Sequence, residues 1–149
     1  MRQMIIDSIP LRYKKNKKSF QSLNLNSYRN NSFFLNNSLK KQFDTSLHEL
    51  LACCNFIFPE PPLELIYTIY RRDKRRVDLA NMGSVIDKYA SDSLVNCGFI
   101  DDDNTDIIKA VRFVDGGIDR ENPRVCLEIK SYFLETENGE MRFKYERQK

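Results

Sequence analysis

Between Leu63 and Cys97 the apolar residues change period, and that change limits the possible folds more than any other feature of the chain. In "LELIYTIYRR", Leu63, Leu65, Tyr67 and Ile69 alternate with Glu64, Ile66, Thr68 and Tyr70. A period of two predicts a strand with one apolar face and one mixed face. From residue 79 the spacing turns helical: Met82, Val85, Ile86, Tyr89, Ala90 and Leu94 make one stripe, predicting a helix over 79–97. Asn81, Ser84, Lys88 and Asp92 follow at three or four and form a polar row on another side. Gly98 tolerates the left-handed backbone that commonly ends a helix.

The remaining elements are read the same way. "RQMIIDSIPL" predicts a first strand closed by Pro10, which cannot donate to a sheet ladder. Asn37 or Ser38 could cap a helix to about Cys53, with Leu39, Phe43, Leu47, Leu50 and Leu51 on one face. "NFIFPEPP" turns the chain, and two strands fit Ile107–Val114 and Arg124–Ile129, separated by "DGGIDRENP". Residues 11–32, rich in Lys, Asn and Ser, predict a basic arm or loop, and residues 136–149 a charged, frayed tail. The order β, α, β, α, β, β predicts one α/β (α+β) domain over residues 1–149, a small mixed β-sheet with two main helices. A chain of 149 residues is long enough to enclose one core.

No apolar run approaches the roughly 18 residues of a membrane span. The N-terminus lacks the apolar segment of a signal peptide, so the expected setting is the cytoplasm. Cys53, Cys54, Cys97 and Cys126 form no C-x-x-C pair and are expected to be small apolar fillers. The single histidine, His48, argues against His-rich metal clusters.

The net charge is only +3, but it is unevenly spread. Through residue 43 there are nine Lys or Arg against one Asp, whereas four acids fall between Asp101 and Asp106. A second basic cluster, "RRDKRR", holds Arg71, Arg72, Lys74, Arg75 and Arg76, and Asp78 follows it. Such polarity suits a surface that meets a polyanion. Basic side chains would hold a phosphodiester backbone, while carboxylates could hold Mg²⁺, a hard cation that assists phosphodiester hydrolysis. Asp78 could equally cap the following helix or pair with Arg75 or Arg76. An unbroken helix over 79–97 would be about 28 Å long and would keep Asp78 from sharing an ion with Asp102 or Asp103. The conflict is removed if the helix starts later, near Ser84, or if the loop after Gly98 doubles back; Gly83 weakens the helix near its start.

In order, "RRVDLANMGSVIDKYASDSLVNCGFIDDDN" resembles the core motif of the RusA family of Holliday junction resolvases, here in a form like its phage-encoded members. The family's "DLDN"-like element corresponds to Asp78-Leu79-Ala80-Asn81, its lysine to Lys88, its "DAL"-like tripeptide to Asp92-Ser93-Leu94, and its "G-hydrophobic-x-x-DD" to Gly98 through Asp103. "SLNLNSYRNNSFFLNNSLKKQF" resembles the family's entry to the first helix, so the likeness spans roughly residues 22–130. The resemblance implies that Asp78 and Asp103 hold Mg²⁺ (Mn²⁺ as a substitute), with Asp102 and Asn81 as further ligands and Lys88 as a catalytic cation. It departs at Ala80, where the family has a second aspartate, and in a stretch between Asn81 and Asp92 about four residues longer than in its shorter members. Asn81 still offers a carbonyl oxygen, and Asp87 is the candidate to substitute for the lost charge.

The expected function is a Mg²⁺-dependent, structure-selective endonuclease. It would nick four-way DNA symmetrically as a homodimer, in DNA recombination and repair. Arg71, Arg72, Lys74, Arg75 and Arg76, with Lys14, Lys15, Lys17 and Lys18, would contact phosphates, and Tyr13, Phe20, Tyr28 or Phe33 could stack on bases. Asp92 is expected to be structural. The alternatives are a branched-DNA binding protein that cuts weakly or not at all, and an RNA-binding or phage regulatory module.

Overall fold

The structure is a computed structural model, and it describes residues 3–53, 56–135 and 141–143. Four strands form the main sheet: β1 (Gln3–Pro10), β4 (Leu63–Arg71), β5 (Ile108–Ile118) and β6 (Arg124–Ser131), in the order β1-β6-β4-β5. β6 runs antiparallel to both β1 and β4, whereas β4 and β5 are parallel. A parallel pair needs a long crossover, and α3 (Leu79–Asn96) supplies it. Two helices, α2 (Phe33–Ala52) and α3, lie on one face of the sheet as a mixed α/β domain with a second layer of helix.

The two periods read from the sequence account for the core. Leu63, Leu65, Tyr67 and Ile69 of β4 are fully buried, as are Val125, Leu127 and Ile129 of β6. Against them pack Leu39, Phe43, Leu47 and Leu51 of α2 and the stripe Met82, Val85, Ile86, Tyr89, Ala90 and Leu94 of α3. The other face of the sheet carries cross-strand polar pairs: Lys130 Nζ lies 3.9 Å from Glu64 Oε2, and the Arg124 guanidinium sits 4.0 Å from the Tyr70 ring centre.

Several elements differ from the sequence reading. Residues 11–32 are ordered, not an extended arm: β2 (Arg12–Lys14) and β3 (Phe20–Ser22) form a hairpin, and α1 (Leu25–Asn30) follows. Leu11, Tyr13 and Leu23 anchor it in the core, where Tyr13 stacks obliquely on Phe43 at 5.9 Å. α2 starts at Phe33, capped by the Ser32 hydroxyl, five or six residues earlier than expected. β5 runs to Ile118 and absorbs half of the expected turn. In the expected tail, β8 (Met141–Phe143) pairs with β7 (Phe133–Glu135); the rest of the tail lies outside the described residues. The cysteines are less buried than expected: Cys53 is exposed, Cys97 and Cys126 are half-buried, and Cys97 Sγ lies 2.7 Å from His48 Nε2. Cys54 lies outside the described residues.

Gly83 sits inside α3 without breaking it. A Cβ there would overlap the Phe113 ring of β5, so the missing side chain is what lets helix and sheet approach. α3 is therefore unbroken for 18 residues, and the later start near Ser84 is not seen.

Candidate nucleic-acid interface

At the carboxyl ends of the parallel strands β4 and β5 the chain opens a cleft of about 400 Å³. Crevices at this end of parallel strands are where open α/β sheets bind ligands. Four segments build it. Leu11 and Arg12 come from the junction of β1 and β2, and Ser22, Asn24 and Asn26 from the passage into α1. The loop after β4 gives Arg71, Arg72, Asp73, Arg75 and Val77, and the first turn of α3 gives Asn81 and Met82. Arginines grouped beside a helix N-terminus favour an anion, the helix dipole adding to their charge.

The arginines differ in their engagement. Arg71 is fixed: its Nε and Nη2 reach the two Asp115 oxygens at 3.2 and 3.3 Å, and its Nη1 donates to the Arg75 carbonyl at 3.2 Å. The Gly117 N–H and then the Arg71 guanidinium hold the Asp115 carboxyl below its ordinary value. Arg71 thus shapes the loop. Arg72, Lys74, Arg75 and Arg76 are exposed; the Arg75 N–H bonds Asp73 Oδ1 at 3.0 Å, but its guanidinium has only a loose contact with Asp73 at 3.8 Å. No ion pair ties Arg72, Lys74 or Arg76 to an acid among the described residues.

Lys14, Lys15, Lys17 and Lys18 are exposed on the β2–β3 hairpin, whose base, Arg12, lines the cleft. Its turn is held by Asn16 Oδ1, which accepts from the Lys18 and Ser19 N–H groups at 2.9 and 3.0 Å. Gln42 of α2 bonds Lys14 in both directions at 2.9 Å, tying the hairpin to the helical layer.

Asp78 is the N-cap of α3: its Oδ1 accepts from the Ala80 and Asn81 N–H groups at 3.0 and 3.3 Å. Asp102 and Asp103 follow the other end of that helix in the chain, on the loop after Gly98. Together with Lys40, Asp92, Val95 and Asn96 they line a shallow hollow. Asp102 spends its oxygens on its own loop, accepting from the Asp103 N–H at 2.8 Å and from Asn104 Nδ2 at 2.9 Å, and these bonds hold its carboxyl below the ordinary value. Eighteen residues at 1.5 Å each put the ends of α3 about 27 Å apart. Asp78 and Asn81 stand at the first turn of α3, whereas Asp102 and Asp103 line their hollow with Asp92, Val95 and Asn96 of its last turns. The loop after Gly98 does return along α3, bringing Asp103 close enough to raise the Asp87 pKa.

Among the described residues no group of three or more His, Cys, Asp or Glu side chains converges as a metal centre would need. Asp87, the residue expected to make up for the charge missing at Ala80, is held between Tyr67 and Ser91. It lies nine residues along α3 from Asp78 and accepts from the buried Tyr67 hydroxyl at 2.7 Å and from Ser91 Oγ at 3.2 Å. Burial raises its pKa, overcoming those two bonds, with Asp103 and Asp92 adding repulsion. Asp92 is structural, bonded to Lys40 of α2 at 2.9 Å. Lys88 is exposed on the polar row, about 15 Å along the helix from Asp78.

Of the four aromatic candidates, Tyr13 is buried and Tyr28 packs edge-on to Tyr89 at 6.4 Å, so both belong to the core. Phe20 and Phe33 remain exposed. The sequence reading missed Arg12, Asn24 and Asn26 in the cleft. A signal for Asn24 was available, because "SLNLN" places an Asn ahead of a short helix that it caps. No protein-family model matches the chain, and no curated protein matches its sequence.

Proposed function

We propose that the protein binds four-way DNA as a homodimer and acts on it as a Mg²⁺-dependent endonuclease. The observation that carries the binding half is the cleft lined by Arg12, Arg72 and Arg75 at the N-terminus of α3, flanked by the lysine-bearing hairpin. Each phosphate neutralised there releases counterions and adds close to one unit to the salt dependence of binding. A four-way junction is nearly twofold symmetric, which a C₂ dimer matches with two equivalent clefts. The cutting half rests on the order of motifs from Asp78 to Asp103.

A second reading, binding without efficient cutting, is favoured by two observations. Ala80 stands where the resembled family has a carboxylate, and among the described residues no group of three or more His, Cys, Asp or Glu side chains gathers as a metal site. A labelled synthetic junction separates the two readings. Paired symmetric nicks that need Mg²⁺ or Mn²⁺ support the nuclease, and a tight shifted complex without product supports the binder. Equal affinity for junction, linear duplex and RNA at moderate salt contradicts both.

A further inference from the structure

Phe33 and Phe34 open α2 side by side, 73% and 82% exposed, with their rings 6.0 Å apart and edge to face. They are the first two helical residues after the Ser32 cap, and the next residue, Leu35, is the one that turns inward onto the core. Isolated exposed apolar residues are ordinary, but two adjacent phenylalanines with no polar handle, both facing solvent, mark a contact surface.

Charge selects the contact. From residue 8 to residue 43 the chain holds eight Lys or Arg and not one Asp or Glu. This segment carries the hairpin, α1 and the start of α2, so the stretch that bears the aromatic pair brings no carboxylate of its own; of its cations, Lys40 is paired with Asp92 of α3. An isologous contact of this surface with a second copy would set like charges against each other. A polyanion carrying flat aromatic faces meets both features at once, because its phosphates pair with the cations and its unpaired bases stack on the rings. Position agrees. α1, whose cap Asn24 lines the cleft, is six residues long, about 9 Å, and ends just before Ser32. That span is two to three base steps at about 3.4 Å each.

Resting on the DNA-binding reading above, we propose that Phe33 and Phe34 form a stacking platform for unpaired bases at the branch point. They would confer preference for branched or single-stranded DNA over continuous duplex, while the arginines of the cleft hold the phosphates.

The test measures binding of the full-length chain to a four-way junction, a single strand and a linear duplex, each carrying 2-aminopurine, over a series of salt concentrations. The double variant Phe33→Ala/Phe34→Ala is expected to bind junction and single strand at least about tenfold more weakly and duplex equally, with an unchanged salt slope. The 2-aminopurine quenching seen with the wild type should also disappear. Phe33→Tyr/Phe34→Tyr, which keeps the rings, is expected to restore binding, whereas Phe33→Leu/Phe34→Leu, which keeps only apolar bulk, is not. Both side chains are solvent-exposed, so folding of the variants is expected to be unchanged, as thermal unfolding would show. Wild-type junction binding with no effect of the alanine pair overturns the platform and leaves the cleft reading standing. Rescue by leucine, or conversion of a dimer to monomer by the alanine pair in sedimentation, assigns the rings to a protein contact and also overturns it. A wild type that binds none of the three DNAs overturns both proposals.

Discussion

Asp78 carries two roles that one substitution can separate. Its carboxylate caps α3, and Asn is as good an N-cap as Asp, whereas Ala is not. Asp78→Ala is therefore expected to lower stability by about 1 kcal/mol and Asp78→Asn to leave it nearly unchanged, as denaturant unfolding would show. If both variants lose junction nicking, the negative charge matters for cutting beyond the cap; an Asn variant that nicks at the parental rate removes Asp78 from the chemistry. Asp87 offers a test through pH. Burial against Tyr67 favours its protonated form, so the folded chain takes up a proton more readily there than the unfolded chain. The stability it contributes is complete below the ordinary carboxylate pKa and is lost as pH rises through the raised value. Asp87→Asn, which can still accept from the Tyr67 hydroxyl, is expected to gain melting temperature on the parent as pH goes from about 4 to neutrality. A pH-independent difference between the two would show that Asp87 is ionised throughout.

At the level of elements, the contact of α3 with β5 is set by Gly83 under the Phe113 ring. Helix propensity alone would make Gly83→Ala stabilising by about 1 kcal/mol. A methyl group overlapping the ring opposes this, since overpacking costs about 1–3 kcal/mol. The net expectation is destabilisation, and Gly83→Ala combined with Phe113→Leu is expected to recover it; a single variant more stable than the parent would contradict the close approach. The same glycine shows where sequence reading stops. Residue periods correctly gave β4, the α3 stripe and the buried face of α2, because those faces are decided within each element. Whether Gly83 ended the helix depended on a ring thirty residues away. The hairpin was missed for a similar reason: Leu11, Tyr13 and Leu23 are widely spaced in a polar stretch, and only the shared core with Phe43 reveals them as anchors.

Over the whole molecule, the charge asymmetry legible in the sequence becomes a placement. The "RRDKRR" loop and the hairpin base meet at the first turn of α3, while Asp102 and Asp103 line a separate hollow with its last turns. The cationic half of the candidate site was thus readable from residue runs. The acidic half was not, because its convergence depended on helix length and on the path of the loop after Gly98. The account stands on the cleft as a phosphate-binding surface. Its most direct test is the salt dependence of four-way-junction affinity for the parent and for Arg72→Ala/Arg75→Ala, by fluorescence anisotropy. Loss of two phosphate contacts predicts a log-log slope shallower by about 1.8, with weaker binding at every salt concentration. An unchanged slope and affinity would contradict the cleft as the DNA-binding surface.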